Sequence, residues 1–342
     1  MKLRKMNLGL LLAGCLSFFS QCSEPALPTA PPPQTIKGTY YLTKADQSVL
    51  FSQQETGLGI ARNEDYPTIK LDASKSYQEM EGFGYTLTGG SAMHLQNMSA
   101  PARKALLKEL FGKEANDIGI SYLRLSVGAS DLDSYVFSYN DLSEGQTDVD
   151  QNNFSLAPDK QYLIPIIKEI LEINPEIKFL ASPWSPPVWM KDNGNSIGGS
   201  LLPEYYDSYA LYLSKYVKEM ASEGITIHAM TIQNEPLHDG NNPSLYMPAH
   251  EQAEFVGMHL GPKFREENIT TKIIIYDHNA DRMDYPQEVL QNSTAAPYVD
   301  GTAFHLYGGD INNLSDLHQS FPNKNLYFTE QWVGARKISR KI

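Results

Sequence analysis

Two glutamates in this 342-residue chain occupy matching contexts that suit acid–base chemistry. In Ala229-Met-Thr-Ile-Gln-Asn-Glu-Pro236 an apolar, strand-like run ends in Asn234, Glu235 and a proline that halts any hydrogen-bond ladder. In Leu326-Tyr-Phe-Thr-Glu-Gln-Trp332 a second apolar run delivers Glu330 among aromatic residues. A single glutamate at a strand end is most simply a solvated side chain. Two in the same setting read better as a pair. Cleavage of a glycosidic bond needs one carboxylic acid to protonate the leaving oxygen and one carboxylate to attack the anomeric carbon. Glu235 is therefore the candidate acid/base and Glu330 the candidate nucleophile. A separation of about 5–5.5 Å would make the reaction retaining.

Other polar and aromatic residues fall at comparable positions. Arg124, within Tyr122-Leu-Arg-Leu-Ser, can orient a carboxylate through its planar fork or pair with a structural acid. Asp131 is a candidate acceptor for sugar hydroxyls or a loop cap. Ala181-Ser-Pro-Trp-Ser-Pro-Pro-Val-Trp189 suits a rigid aromatic platform built on Trp184, with a packing role equally open to Trp189. Phe304-His305-Leu-Tyr307 puts His305 and Tyr307 within reach of the nucleophile, and Trp332 follows Glu330 closely. A metal-dependent site built on Asp277, His278, His305 and His94 is the competing chemistry. These histidines lack a ligand pair at helical or short-strand spacing, so no metal, nucleotide or organic cofactor is expected.

Positioning these residues requires parallel strands. From Gln78 onward, short β-rich runs alternate with helical patterns, the mark of βα units. Strands are expected at Glu81–Thr88, Ile120–Val127, Ile177–Ser182, Ile227–Gln233, Lys272–Tyr276, Gly301–Leu306 and Leu326–Thr329. Helices are expected near Ala100–Leu110, with Ser99 as N-cap, and at Asp159–Ile173, Tyr205–Ser222, Ala249–Glu267, Pro286–Gln291 and Leu314–Ser320. Tyr205, Tyr209, Tyr212, Tyr216 and Met220 form a stripe at helical spacing that reads as core. Gly82-Phe83-Gly84 lacks the third glycine and helix start of a dinucleotide turn. The fold class is α/β, a (β/α)8 TIM barrel whose strand ends carry the chemistry. Glu235 and Glu330 then sit on its fourth and seventh strands. Too few residues follow Gly334 for an eighth βα unit, so an open barrel of poor stability and low activity is expected. Gly38 to Leu71 reads as a small all-β piece, with strands at Gly38–Thr43, Ser48–Phe51 and Thr68–Leu71.

The formal net charge is -12. Removing Lys2, Arg4 and Lys5 with a leader leaves 25 basic against 40 acidic residues, or -15, which repels phosphate backbones and anionic membranes. Nucleic acid is excluded as a partner, whereas neutral glycans are compatible. Both cysteines, Cys15 and Cys22, lie in the first two dozen residues, so thiolate chemistry is excluded from the folded part. A basic start followed by apolar Leu8 to Phe19 has the form of a secretory signal. Leu12-Ala13-Gly14-Cys15, or less regularly Phe19-Ser20-Gln21-Cys22, would make it a bacterial lipoprotein leader. The expectation is export to the periplasm or outer membrane of a bacterium, held by lipid on Cys15 or Cys22. The organisation is a leader (1–22), a proline-rich linker (23–37), N-terminal strands (38–76), the barrel (77–334) and an atypical tail (335–342).

These motifs resemble glycoside hydrolase family 30, which includes glucosylceramidases, β-1,6-glucanases and some xylanases. The similarity runs from roughly Gly82 to Gly334. It implies a TIM barrel, with the early strands contributing to a side β-sandwich, and a carbohydrate substrate that is a β-linked glucoside or glucan. It also implies Glu235 as acid/base and Glu330 as nucleophile, with Arg124, Asp131, Trp184, Asn234, His305 and Tyr307 contacting the sugar or the carboxylates. Gly84-Tyr-Thr-Leu-Thr-Gly-Gly90 departs from the family's commoner run ending in an acidic residue. Ala335 to Ile342 resembles nothing in the family. A non-catalytic glycan-binding lipoprotein is the alternative reading.

Overall fold

The computed structural model describes residues 36–58, 70–114 and 117–332. The leader with Cys15 and Cys22, the linker up to 35 and the tail 335–342 lie outside the described residues. The chain divides into two compact units between Ser76 and Tyr77.

The first unit holds two antiparallel strands, β1 (Ile36–Leu42) and β2 (Ser52–Leu58), in register from Ile36↔Leu58 to Leu42↔Ser52. The strand expected at Ser48–Phe51 is instead the turn that feeds β2. Asp46 accepts hydrogen bonds from the Ser48 amide and hydroxyl, and Thr43 Oγ1 accepts one from the Phe51 amide. The β2 sequence, Ser-Gln-Gln-Glu-Thr-Gly-Leu, carries almost no apolar alternation, so its pattern gave no strand signal. Of the third expected strand, 68–69 lie outside the described residues, and Lys70 and Leu71 are not in a strand.

The second unit is one parallel sheet with seven strands in chain order. They are β3 (Gly84–Thr86), β4 (Tyr122–Val127), β5 (Lys178–Pro183), β6 (Ile227–Thr231), β7 (Lys272–Ala280), β8 (Val299–Gly309) and β9 (Asn325–Glu330). Each expected barrel strand is present, with shifted ends. The sheet is strongly curled. Flat strands spaced about 4.8 Å apart would put β4 and β9 roughly 24 Å from each other, yet Arg124 on β4 bonds Glu330 on β9 at 2.7 Å. Among the described residues β3 pairs only with β4 and β9 only with β8.

The curl fills its interior in layers, as a TIM barrel does. A lower apolar layer holds Leu180, Ala229, Ile274 and Ala303, flanked by Tyr122 and Tyr327. One layer up, toward the strand C-termini, the inward residues turn polar: Arg124, Ser182, Thr231, Asp277 and His305. Outside the sheet the helices bury the main core, and the tyrosine stripe belongs to it, with Tyr209, Tyr212, Tyr216 and Met220 fully buried.

Sequence patterning missed the helix Gly89–Gln96, because Gly89 and Gly90 read as breakers. They are needed there: a Cβ on Gly89 would fall 1.8 Å from the Asp133 carboxylate, and one on Gly90 would fall 2.3 Å from the Leu132 carbonyl. Thr88 caps the helix by accepting from the Ser91 amide. Ser99 makes no side-chain cap. The expected helix Asp159–Ile173 divides at Tyr162, and Ala249–Glu267 contains a π-helical stretch, Phe255–Leu260.

One buried acid lies away from the polar layer. Burial pushes the Asp159 carboxyl up to about 7, partly offset by the hydrogen bond it accepts from Tyr139 Oη. Its folded pKa exceeds the ordinary aspartate value, so the folded state binds the extra proton. Stability should then decline as pH rises from about 4 through 7. Asp159→Asn should flatten this decline, melting above the parent at pH 8 but not at pH 4.5; equal melting shifts at both pH values would refute it.

Candidate active site

The polar layer is organised around Asp277, a fully buried carboxylate that sequence reasoning placed only in the rival metal chemistry. Its Oδ2 accepts from Arg124 Nη2 (2.9 Å), Ser182 Oγ (2.6 Å) and Thr231 Oγ1 (2.8 Å). Its Oδ1 accepts from Thr329 Oγ1 (2.6 Å) and faces His305 Nε2 at 3.0 Å. Burial alone would raise its pKa, but Arg124, His305 and Ser182 together hold it well below the usual carboxylate range. Five strands thus converge on one anion: β4, β5, β6, β8 and β9.

The backbone makes this convergence available through bulges. Tyr276 pairs with Ala303 and His278 with Phe304, leaving Asp277 as an extra residue in β7. Tyr276 and Asp277 adopt φ of 73° and 64°. A bulge re-aims side chains that strict alternation would send to opposite faces. Tyr276 therefore packs outward on Tyr285 and Phe304, while Asp277 and His278 both turn inward. On β9, Phe304↔Phe328 and His305↔Glu330 leave Thr329 as the extra residue, so Thr329 and Glu330 both reach the polar layer. Glu235 also has positive φ, 46°, and its amide donates to the Asp277 carbonyl at 2.9 Å.

Arg124 and Tyr307 fix Glu330. Arg124 Nη1 donates to Glu330 Oε2 at 2.7 Å, and Tyr307 Oη donates to Oε1 at 3.0 Å. Arg124 Nη2 also donates to Asn234 Oδ1 at 2.8 Å. Its guanidinium lies 4.8 Å above the Trp184 ring. Trp184 is nearly fully buried beneath Arg124, so it forms the floor of the site and not an open platform. Trp189 packs edge-on against Tyr205, with its Nε1 donating to the Asn140 carbonyl.

His305 joins the two glutamates. Its Nδ1 lies 3.0 Å from Glu235 Oε1 and 3.8 Å from Glu330 Oε1, so those oxygens are at most about 6.8 Å apart, the total of the two distances. Burial works against charge on His305, but Asp277 and Glu235 raise its pKa above the ordinary value. Burial would likewise raise Glu235, and the imidazoles of His278 and His305 outweigh it, holding the carboxyl down at about 2. His305 thus lies between the Glu235 and Asp277 carboxylates, which favour its charged form.

Asp131 is exposed at the edge of the site. Partial desolvation raises its pKa, and the negative fields of Glu330 and Glu235 add to this, which places it in the same electrostatic neighbourhood. Trp332 contributes through its backbone: its amide donates to Tyr307 Oη at 2.8 Å, while its ring is exposed. The nine sequence-selected residues therefore all lie in or beside one site. Ser182, Thr231 and Thr329 were missed, and His278, like Asp277, entered only in the rival metal chemistry. Hydroxyl residues in strands carry no distinguishing pattern.

The family description for the glycosyl hydrolase family 30 TIM-barrel domain matches residues 80–342. The chain belongs to glycosyl hydrolase family 30. Among curated relatives, an endo-1,6-beta-D-glucanase of Neurospora crassa is 34% identical over 278 residues, covering 79% of this chain and 57% of the relative. The lysosomal acid glucosylceramidase of Mus musculus is 30% identical over 287 residues, covering 78% and 54% respectively. A solved endo-beta1,6-glucanase superposes with a TM-score of 0.79 at 36% identity, covering 86% of this chain and 65% of its own. The family 30 chain described here thus spans little more than half the length of those curated relatives.

Proposed function

We propose that this protein is a retaining glycoside hydrolase that cleaves β-1,6-linked glucan. The observation that carries the reading is the single His305 nitrogen shared by Glu235 and Glu330. It caps their Oε1–Oε1 separation at about 6.8 Å, short of most of the roughly 6.5–9.5 Å range that leaves room for an activated water. Glu330, held on both oxygens by Arg124 and Tyr307, attacks the anomeric carbon. Glu235 gives a proton to the departing glycosidic oxygen, and His305 Nδ1, 3.0 Å from Glu235 Oε1, is the hydrogen-bond partner through which that proton is held and replaced. The C–O bond to the leaving sugar breaks as the glycosyl ester on Glu330 forms. Glu235 then takes a proton from water, whose oxygen displaces Glu330 and restores both groups. The β-1,6-glucan substrate is supported by the glucanases among the most similar relatives and structures.

Release of reducing sugar from β-1,6-glucan by the full-length chain tests this reading. Glu235→Gln should lower that rate by about 10²–10⁴-fold. It should slow glycosylation by a dinitrophenyl β-glucoside far less, because that leaving group departs without a proton. Equal losses on both substrates would remove Glu235 from the acid role.

Export and lipid anchoring belong to the same proposal, on the basic-then-apolar start and the Leu12-Ala13-Gly14-Cys15 box. Among the described residues no helix is long and apolar enough to cross a membrane. Cells fed labelled palmitate should label the protein, with the label lost in Cys15→Ser or Cys22→Ser; an unlabelled parent protein would end the anchoring idea.

A further inference from the structure

The proposed acid/base carboxylate has one neighbour, His278, that the protonation chemistry leaves unused. His278, turned inward by the β7 bulge, is about nine-tenths buried, and its Nδ1 has no hydrogen-bond partner. That nitrogen lies 3.5 Å from Glu235 Oε1, the same oxygen that His305 Nδ1 approaches at 3.0 Å. The three ligand-type atoms all fall within 4.8 Å of one another. A four-coordinate zinc ion with bonds of about 2.0–2.2 Å spans ligand-to-ligand edges of roughly 3.4 Å. Two of the three edges, 3.0 and 3.5 Å, already match such a polyhedron, and the third, at most 4.8 Å, has to close by rotation of an imidazole.

Two further features favour a metal ion. His305 Nε2 faces the Asp277 carboxylate at 3.0 Å, the arrangement that orients a metal-bound imidazole and strengthens its other nitrogen as a donor. The surroundings are also anionic: Glu330 and Asp131 add to Glu235 and Asp277, while the charge of Arg124 is matched by Asp277 and Glu330. Two imidazoles and one carboxylate select a borderline transition ion over magnesium or calcium, which prefer all-oxygen sites.

We propose that Glu235, His278 and His305 form a site for a divalent transition-metal ion of the zinc class, and that an ion bound there silences Glu235. The ion replaces the proton shared between His305 and Glu235 and occupies the carboxylate oxygen that must receive and deliver it. Glu235 can then neither protonate a leaving group nor activate water. The inhibition rests on the acid role proposed above; the binding does not.

Isothermal titration of the full chain with zinc chloride should show one strong site that magnesium does not fill. Hydrolysis of β-1,6-glucan should fall as that site fills and return when EDTA is added. His278→Gln should weaken zinc binding by about 10- to 100-fold or more, and inhibition within that variant should shift in parallel. A second measurement on the unaltered chain covers the case in which the variant does not fold: zinc and the cationic sugar mimic 1-deoxynojirimycin should exclude each other. Undiminished zinc binding by folded His278→Gln, or independent binding of zinc and the mimic, would overturn the site. Zinc binding at this site by a chain that hydrolyses no glucan would sustain the site and count against the catalytic reading instead.

Discussion

Glu330→Ala is expected to lower β-1,6-glucan turnover by about 10⁴-fold or more, since residues that act as one chemical unit fail together. Removing the nucleophile leaves Arg124 and Tyr307 facing a gap the size of a carboxylate. Azide should enter that gap and attack the anomeric carbon of an activated β-glucoside from the face Glu330 used. The product should then be the α-glycosyl azide. In Glu235→Ala the covalent step on Glu330 survives, and azide should attack the glycosyl-enzyme from the opposite face to give the β-glycosyl azide. Product stereochemistry by NMR therefore assigns the two roles separately. Crossed outcomes, or a Glu330→Ala protein retaining a tenth of the parent rate, would reject the assignment.

Asp277→Ala is expected to produce the largest loss of stability among single changes in the polar layer. It deprives buried Arg124 and His305 of a shared counter-charge and strips Ser182, Thr231 and Thr329 of an acceptor. Breaking a buried ion pair by deleting one partner costs about 3–5 kcal/mol. For a unit of this size that corresponds to a fall in melting temperature of roughly 10 °C. Activity should fall as well, because Arg124 and His305 aim the two glutamates. Asp277→Asn keeps one acceptor but presents donor hydrogens to other donors, so it should rescue little. Calorimetry showing a drop of under about 3 °C for Asp277→Ala would mean that Asp277 is not the hub described.

The seven barrel strands were legible because each is an apolar run closed by turn residues, and in βα units such runs have one reading. Glu235, Glu330, Arg124 and His305 were legible for the related reason that a charged residue at the end of such a run has little structural excuse. Asp277 ends an equally apolar run, Ile273-Ile-Ile-Tyr276, but the histidine beside it suggested a metal ligand and hid its role as anchor. Trp184 was misjudged as a platform because sequence gives an aromatic residue's position but not whether a cation lies across its face. The helix Gly89–Gln96 was lost because propensity counts two glycines against a helix, while the crowding by Leu132 and Asp133 that requires them comes from distant chain. Among the described residues the β2 strand pairs with β1 alone, and no pattern within it could reveal that.

The two bulges make chain length, more than residue identity, the quantity that this site must conserve. Deleting one residue between Lys272 and Tyr276 would swap the inward and outward members of β7, sending Tyr276 into the polar layer and Asp277 among the helices. A one-residue insertion between Asn325 and Phe328 would do the same to Glu330. Point substitutions along these stretches change one contact at a time, whereas a change of a single codon in length re-deals the whole catalytic hand. Natural variation in these two strands should therefore be rich in substitutions and empty of single-residue gaps.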